Sequence, residues 1–278
     1  MTGLSSELQA KAAALRERLR GAGRVIVAFS GGVDSSYLAY AAREALGDDC
    51  LAVTALSPSY PGSHRDMAEK VALDFSIPHR FVDTAEMESE DYRANRPDRC
   101  YHCKSELFRR LDGLLEELDF DALAYGINTD DRGDFRPGHR AADEHRVLSP
   151  LLDADLGKEE IRALSREAGL PTAELPASAC LASRLPYGTE VTAERLSQVE
   201  EAERRLRELG FRQVRVRHHG ELARIEVARD ELARAHSPEL ALAMVEALKP
   251  LGFRWVSLDL EGYRTGSLNE VLFVKNPA

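Results

Sequence analysis

Two short stretches carry residue types whose spacing can do chemistry. The first is Ala28-Phe29-Ser30-Gly31-Gly32-Val33-Asp34-Ser35-Ser36. Gly31 and Gly32 let the backbone approach a ligand closely, Ser30, Ser35 and Ser36 add hydroxyl donors, and Asp34 is placed to order the loop or help hold a magnesium ion. A loop of this kind between an apolar run and a helix aims its N–H groups at an anion. It contains no lysine and matches neither the Walker A pattern nor the dinucleotide fingerprint. A plain strand-to-helix turn would explain a Gly-Gly pair alone; three hydroxyls and an acid around it point to an anion site. The second stretch is Arg99-Cys100-Tyr101-His102-Cys103-Lys104, joined by Cys180 in a Pro-bounded loop. Three thiolates suit three irons of a [4Fe-4S] cluster and leave the fourth open, whereas structural zinc takes four protein ligands, a set that His102 would complete. Cys180 lies close in sequence to Arg184, in surroundings of the sort that favour thiolate. Cys50 opens an apolar run and reads as a small core residue.

These loops need elements to hold them. Leu4, Leu8, Leu15 and Leu19 recur at helical spacing, and a short β-branched strand follows over Arg24–Phe29. Tyr37, Leu38, Ala41, Ala42 and Ala45 mark a helix that Gly47 closes, and Cys50–Leu56 is a second buried strand. The alternation continues with a helix near His64–Phe75, a strand near His79–Val82, a helix near Lys104–Leu118, and strands near Ala122–Tyr125 and Arg146–Leu151. It predicts an α/β fold, a doubly wound and mostly parallel sheet over residues 1–170. Residues 171–190, with Pro171, Pro176, Pro186 and Gly188, read as a functional loop carrying Cys180. A smaller α+β domain is expected over residues 191–278: a helix at Ala193–Leu209, strands at Gln213–His218 and Ala223–Val227, a helix at Pro238–Leu248, and strands at Arg254–Leu260 and Val271–Val274.

The 278 residues are 44% hydrophobic and 30% charged, which supports one sizeable core and a second smaller one. The apolar runs fall far short of the roughly 20 residues of a bilayer span, and the leading helix lacks the apolar centre of a signal peptide. A cytoplasmic enzyme with no membrane partner is expected. The formal net charge of −10 has the wrong sign for a protein that binds nucleic acid mainly through its phosphates. Four cysteines in a reducing compartment are read as metal, redox or nucleophile chemistry before disulfides. Against the acidic background, Arg204–Arg224 holds seven arginines with His218 and His219. Arg215 and Arg217 alternate on a predicted strand, so both face one side and suit bidentate grip of a phosphate. Glu203 fits a helix ion pair with Arg207, and Glu200 and Asp230 read as ordinary surface acids.

The glycine loop resembles the SGGxDS signature of the ATP pyrophosphatase (PP-loop) superfamily, in which the loop holds the β and γ phosphates while an acceptor oxygen attacks the α phosphorus. Over nearly the whole chain the sequence resembles the LarE family of ATP-dependent sulfur transferases. The matches are the loop, Leu56-Ser57-Pro58-Ser59-Tyr60-Pro61, the run from Asn95 to Lys104, Gly126-Ile127-Asn128-Thr129-Asp130-Asp131, Asp134-Phe135-Arg136-Pro137-Gly138, Ser149-Pro150-Leu151, the Cys180 loop with Pro186-Tyr187-Gly188, and Arg215-Val216-Arg217. The resemblance implies an adenine-nucleotide PP-loop domain that binds ATP and Mg2+ through Ser30–Ser36, Gly126 and Asp131. Asp130, Asp134 and Arg136, dense in a glycine-bearing segment after a strand, read as contacting ATP, ordering a loop or both. The same resemblance implies that a carboxylate of pyridinium-3,5-biscarboxylic acid mononucleotide is adenylated and converted to the thiocarboxylate, for the nickel-pincer cofactor of lactate racemase. Arg215 and Arg217, with Arg184 as a third candidate, are assigned to the phosphate of this small-molecule substrate. In the sacrificial version of the family, the cysteine matching Cys180 gives up its sulfur and becomes dehydroalanine. The chain departs from that version by adding Cys100 and Cys103, which resembles members proposed to hold a [4Fe-4S] cluster on three cysteines. In that mode a sulfur source or cysteine desulfurase resupplies sulfide. The resemblance also implies a homo-oligomer, in hexameric form.

Three other functions compete. A cluster-dependent tRNA thiolase shares the loop and the three cysteines but calls for a broad basic surface. An amide-forming ligase such as NAD synthetase has no use for clustered thiols. A nucleotide- or zinc-binding scaffold would never release pyrophosphate.

Overall fold

The computed structural model describes residues 4–131, 137–176, 179–264 and 266–267. The chain divides into two compact units, one of Met1–Glu86 with Cys100–Ser178, the other of Met87–Arg99 with Ala179–Ala278. The segment 87–99, contiguous with the first unit in sequence, thus packs with the second.

In the first unit, α1 (Ser6–Gly21) starts where the Ser5 hydroxyl accepts from the Leu8 N–H, and it buries Leu8, Ala12, Leu15 and Leu19. Strands β1 (Val25–Ala28), β2 (Cys50–Leu56), β3 (His79–Asp83) and β4 (Ala122–Tyr125) form a parallel sheet in the order β3-β2-β1-β4. Both faces are covered, as a parallel sheet requires. Val25 and Val27 join a core with α1, α2 (Val33–Leu46) and α3 (Gly62–Asp74). The intervening Ile26 points to an opposite core with Phe108, Leu111 and Leu123. The chain runs outward from β1 through β2 to β3, then returns to place β4 on the other side of β1. That reversal opens a crevice at the carboxyl ends of β1 and β4, where open α/β sheets bind ligands.

After the single turn α4 (Glu90–Arg93) comes α5 (Arg99–Leu118), which begins five residues before the expected Lys104 and so takes the Cys-x-x-Cys into its first turn. Two further helices, α6 (Pro137–Glu144) and α7 (Pro150–Asp153), precede α8 (Lys158–Glu167), whose Ile161 and Leu164 are buried. The strand expected over Arg146–Leu151 is reduced to one bridge between Leu148 and Ala124, because Pro150 cannot donate to a ladder and instead starts α7. Among the described residues no helix is long and apolar enough to cross a membrane.

In the second unit, α9 (Ala193–Glu208) precedes a sheet of β5 (Val214–His219), β6 (Leu222–Val227) and β7 (Trp255–Leu258), with β5 and β6 antiparallel and β6 and β7 parallel. The single turn α10 (Leu232–Ala235) and α11 (Pro238–Leu248) complete it. Val214, Val216, Ala223, Ile225 and Val227 pack with Ala202, Leu206, Met244 and Leu248. By strand alternation, Arg215, Arg217, Arg224 and Glu226 share the other face. The strand expected at Val271–Val274 lies outside the described residues.

Candidate functional site

The glycine loop ends β1 and starts α2, with Gly32 as the N-cap residue. Gly31 has φ +67°, and a Cβ there would lie 2.8 Å from the His64 carbonyl oxygen, so only glycine lets α3 close behind the loop. Ser35 Oγ accepts from the Ser30 N–H at 3.1 Å, lies 3.0 Å from Ser30 Oγ and donates to the Gly32 carbonyl at 3.2 Å. Thr54 Oγ1 donates to the Phe29 carbonyl at 2.8 Å, which leaves His79 Nε2, 2.8 Å away, to donate to Thr54. Burial lowers the His79 pKa, consistent with a neutral ring. Tyr60 donates to the Ser30 carbonyl at 3.1 Å, with burial pushing its phenol up. The side chain of Val33 is buried in the core, so only its backbone is left to meet a ligand. Asp34 Oδ1 and Ser36 Oγ are buried with no hydrogen-bond partner. A glycine cradle with an orphaned carboxylate oxygen and an orphaned hydroxyl fits a magnesium-bound phosphate.

Gly126 follows β4, and a Cβ there would stand 2.9 Å from the Ser35 nitrogen, so its lack of a side chain lets β4 abut the start of α2. Asp131 Oδ2 accepts from the Asn128 N–H at 3.1 Å, and Asn128 Oδ1 from the Asp130 N–H at 2.9 Å. The side chains of Asp131 and Asn128 therefore order the loop, and the Asp130 carboxylate accepts from the Lys158 N–H at 2.6 Å. Asp134 and Arg136 lie outside the described residues.

Sequence reasoning finds no cation at the glycine loop, yet the fold supplies one. Lys158, the first residue of α8, places Nζ 2.6 Å from Asp34 Oδ2. The available signal was a lysine at a helix start, where the macrodipole disfavours positive charge. Thr54 and His79 are further supports that carry no local motif, and Tyr60 lies in the run from Leu56 to Pro61 that shares in the family resemblance.

Cys100 is exposed and Cys103 half-buried, three residues apart on the first turn of α5 and hence on one face. A Cβ at Gly138 would meet Lys104 Cγ at 3.0 Å and the Cys100 carbonyl oxygen at 3.5 Å, so α6 presses closely on this turn. Cys50 is buried, and that burial pushes its thiol up to about 11. In neither unit do the described residues gather three His, Cys, Asp or Glu side chains fit to hold a metal ion.

In the second unit, half-buried Cys180 precedes a 3-10 turn, Leu181–Arg184. Arg184, assigned from sequence to a substrate phosphate, is 1% exposed and turned inward. Its Nε and Nη2 donate to Glu203 at 2.8 and 3.1 Å, and its Nη1 donates to the carbonyls of Ala179 and Cys180 at 2.6 and 2.9 Å. Burial pushes the Glu203 carboxyl up, but the charge and hydrogen bonds of Arg184, with Arg215 and Arg207, outweigh it and hold it below the usual range. The expected Glu203–Arg207 pair forms at 2.8 Å as one arm of this network. Arg217 pairs with Glu226 at 2.7 Å. Arg215 lies over the Tyr263 ring, its pKa lowered to about 10 by burial and then by the charge of Arg184. Asp230 pairs with Arg212 at the surface.

The family model for asparagine synthase matches residues 9–111. An uncharacterized protein of Synechocystis sp. is 42% identical over 95% of this chain and 99% of its own length. The pyridinium-3,5-bisthiocarboxylic acid mononucleotide synthase of Lactiplantibacillus plantarum is 36% identical over 95% of this chain and 96% of its own. A tRNA-specific 2-thiouridylase of Methylobacterium radiotolerans is 35% identical over 56% of this chain and 50% of its own.

Proposed function

The chain belongs to the LarE family of ATP-dependent sulfur transferases, and we propose that it adenylates a carboxylate of pyridinium-3,5-biscarboxylic acid mononucleotide and replaces the activated oxygen with sulfur. The observation that carries the first half is the glycine cradle with the partnerless Asp34 Oδ1 and Ser36 Oγ. The carboxylate oxygen attacks the α phosphorus, the bond to the bridging oxygen breaks, and pyrophosphate leaves with its charge met by loop N–H groups and Lys158; Asp34 would hold a magnesium ion, which would add electrostatic stabilisation when bound. A free carboxylate is a poor acyl acceptor; the acyl adenylate has AMP to expel when sulfur attacks its carbonyl carbon.

Cys100, Cys103 and Cys180 are our candidates to hold a [4Fe-4S] cluster, a reading supported by an all-thiolate donor set and by the shared face of the α5 pair. Such a cluster, when bound, supplies sulfide from outside the chain, delivered by a sulfur source such as a cysteine desulfurase. The second reading, with Cys180 as sacrificial donor, attaches its Sγ to the substrate carbonyl; loss of the Cα proton and cleavage of the Cβ–Sγ bond then leave thiocarboxylate and dehydroalanine. Arg215 and Arg217 are proposed for the substrate phosphate, and a homo-oligomer as the assembly. The thiouridylase similarity supports a tRNA substrate more weakly, given a net charge of −10.

Iron and acid-labile sulfide per chain in anaerobically purified protein test the cluster. About four irons per chain with Cys180 intact after turnover is the expected result. Little iron after reconstitution, with dehydroalanine at position 180 by intact mass, would assign the sulfur to Cys180.

A further inference from the structure

We propose that Arg184 and Glu203 act as a positioning pair that fixes the backbone from which Cys180 presents its thiol. The inference rests on Cys180 being the sulfur-handling residue.

Among the described residues no strand pairs with the Cys180 loop, and side chains take its carbonyls instead. Arg184 Nη1 donates to Ala179 and Cys180, and Ser183 Oγ also donates to Cys180 at 2.7 Å. Arg99 donates to the Ala182 carbonyl at 2.9 Å, and Arg217 to that of Ser183 at 3.1 Å. Asn95 Nδ2 holds the carbonyls of Leu185 and Pro186 at 3.3 and 2.9 Å. Of these three arginines, Arg184 is the one that reaches the carbonyl of the cysteine itself.

Glu203 fixes Arg184 in turn. Its two oxygens take the Nε and Nη2 of Arg184 in a fork, and they also accept from the Val216 N–H at 3.2 Å and from Arg207 at 2.8 Å. The carboxylate thereby ties the loop to α9 and to the edge strand that carries Arg215 and Arg217. Both partners are 1% exposed. A buried ion pair of this kind adds little stability over an apolar pair of similar volume, because desolvation offsets the attraction. It does supply directional hydrogen bonds that an apolar pair lacks. The pair is therefore explained by the placement of the Cys180 backbone better than by stability.

The test uses the full chain with Arg184→Met/Glu203→Gln, which removes both charges together and leaves neither buried alone, beside Glu203→Gln and the charge-keeping Glu203→Asp. Iodoacetamide labelling of Cys180 in iron-free protein, where neither cysteine is tied up by a cluster, is followed by mass spectrometry, with Cys100 in the other unit as internal reference, and single-turnover thiocarboxylate formation is measured with ATP and the mononucleotide. The double variant is expected to melt cooperatively, to label Cys180 about fivefold faster relative to Cys100 as the loop opens locally, and to transfer sulfur about tenfold more slowly or worse. The KM for ATP stays within about twofold. Glu203→Asp recovers part of the transfer rate. A thiol that becomes more open to a small reagent yet less competent in transfer is the signature of lost positioning; destabilisation alone would not divide the two. A folded double variant with Cys180 labelling and transfer both unchanged overturns the proposal. Faster labelling of Cys180 in a protein whose wild type transfers no sulfur keeps the pair's role and removes the assigned reaction.

Discussion

A lysine at the first position of a helix costs that helix about 0.3–1 kcal/mol in charge–dipole energy, and Lys158 occupies that position in α8. Its Nζ lies 2.6 Å from Asp34, and the loop containing Asp34 has no cation of its own. ATP would bring its polyphosphate charge to this point, so Lys158 is the group that can exchange Asp34 for a phosphate oxygen and leave the acid to a magnesium ion. A charge-assisted hydrogen bond contributes about 1.5–3 kcal/mol. Lys158→Met should therefore lower kcat/KM for ATP-dependent pyrophosphate release by about tenfold to a hundredfold, with Lys158→Arg intermediate. Steady-state pyrophosphate release checks this, and a Met variant within about twofold of wild type would remove Lys158 from the phosphate site. At this scale the loop and the cysteines were legible because their chemistry is local. Lys158 was not, because 124 residues separate it from Asp34 and only the return of the chain to β4 and α8 brings them together. Arg184 illustrates the opposite difficulty: its type suggested an anion, and its burial beside Glu203 could not be read from a one-dimensional pattern.

At the scale of elements, the crevice depends on how closely β4 approaches α2. Gly126 sets that distance, since a Cβ would stand 2.9 Å from the Ser35 nitrogen and 3.1 Å from the Asp34 carbonyl carbon, both backbone atoms that cannot rotate away. Gly126→Ala should force the glycine loop out of register at a cost of about 1–3 kcal/mol, with a lower melting temperature and a loss of pyrophosphate release of about tenfold or more. Gly113, inside α5, is the control, because a methyl group added there would have nothing within 4 Å. Gly113→Ala should raise stability by about 0.5–1 kcal/mol and leave activity alone. Thermal melts and pyrophosphate assays on the two variants decide the matter, and equal activity in both would show that the approach of β4 does not shape the site. The strands β1, β2 and β4 were readable because buried parallel strands are short β-branched or apolar runs between breakers. Residues 146–151 offered a similar apolar run, but Pro150 converts its end to a helical turn. Helix α8 is hard to read although Glu160 accepts from the Gly157 N–H at 2.9 Å at its start, because its buried face is only Ile161, Leu164 and Ser165.

For the whole molecule, the sequence could not show that residues 87–99 belong with the second unit, since the contacts that draw them there, such as Asn95 with Leu185 and Pro186, span some 90 positions. Each unit also carries histidines whose pKa burial lowers: His79 in the first, His218 and His219 in the second. A lowered folded-state pKa means that the unfolded chain takes up protons first as pH falls below about 6.5. The stability contributed by these neutral rings is present above that value and is lost as pH falls through the folded-state values. A competing effect runs the other way, because a chain of net charge −10 repels itself less as acid is added. The two separate by salt: repulsion between surface charges is screened within about 4–5 Å at roughly 0.5 M salt, whereas proton uptake by a buried ring is not. Urea unfolding at such salt should therefore show stability falling between about pH 7.5 and about pH 5.5. His79→Gln with His218→Gln should flatten that slope, the amide being able to replace the donor to Thr54 and to Gln198. A slope unchanged in the double variant would assign the acid sensitivity to groups other than His79 and His218; Glu201 and Glu203, held low by their arginines, release their share of stability only at still lower pH.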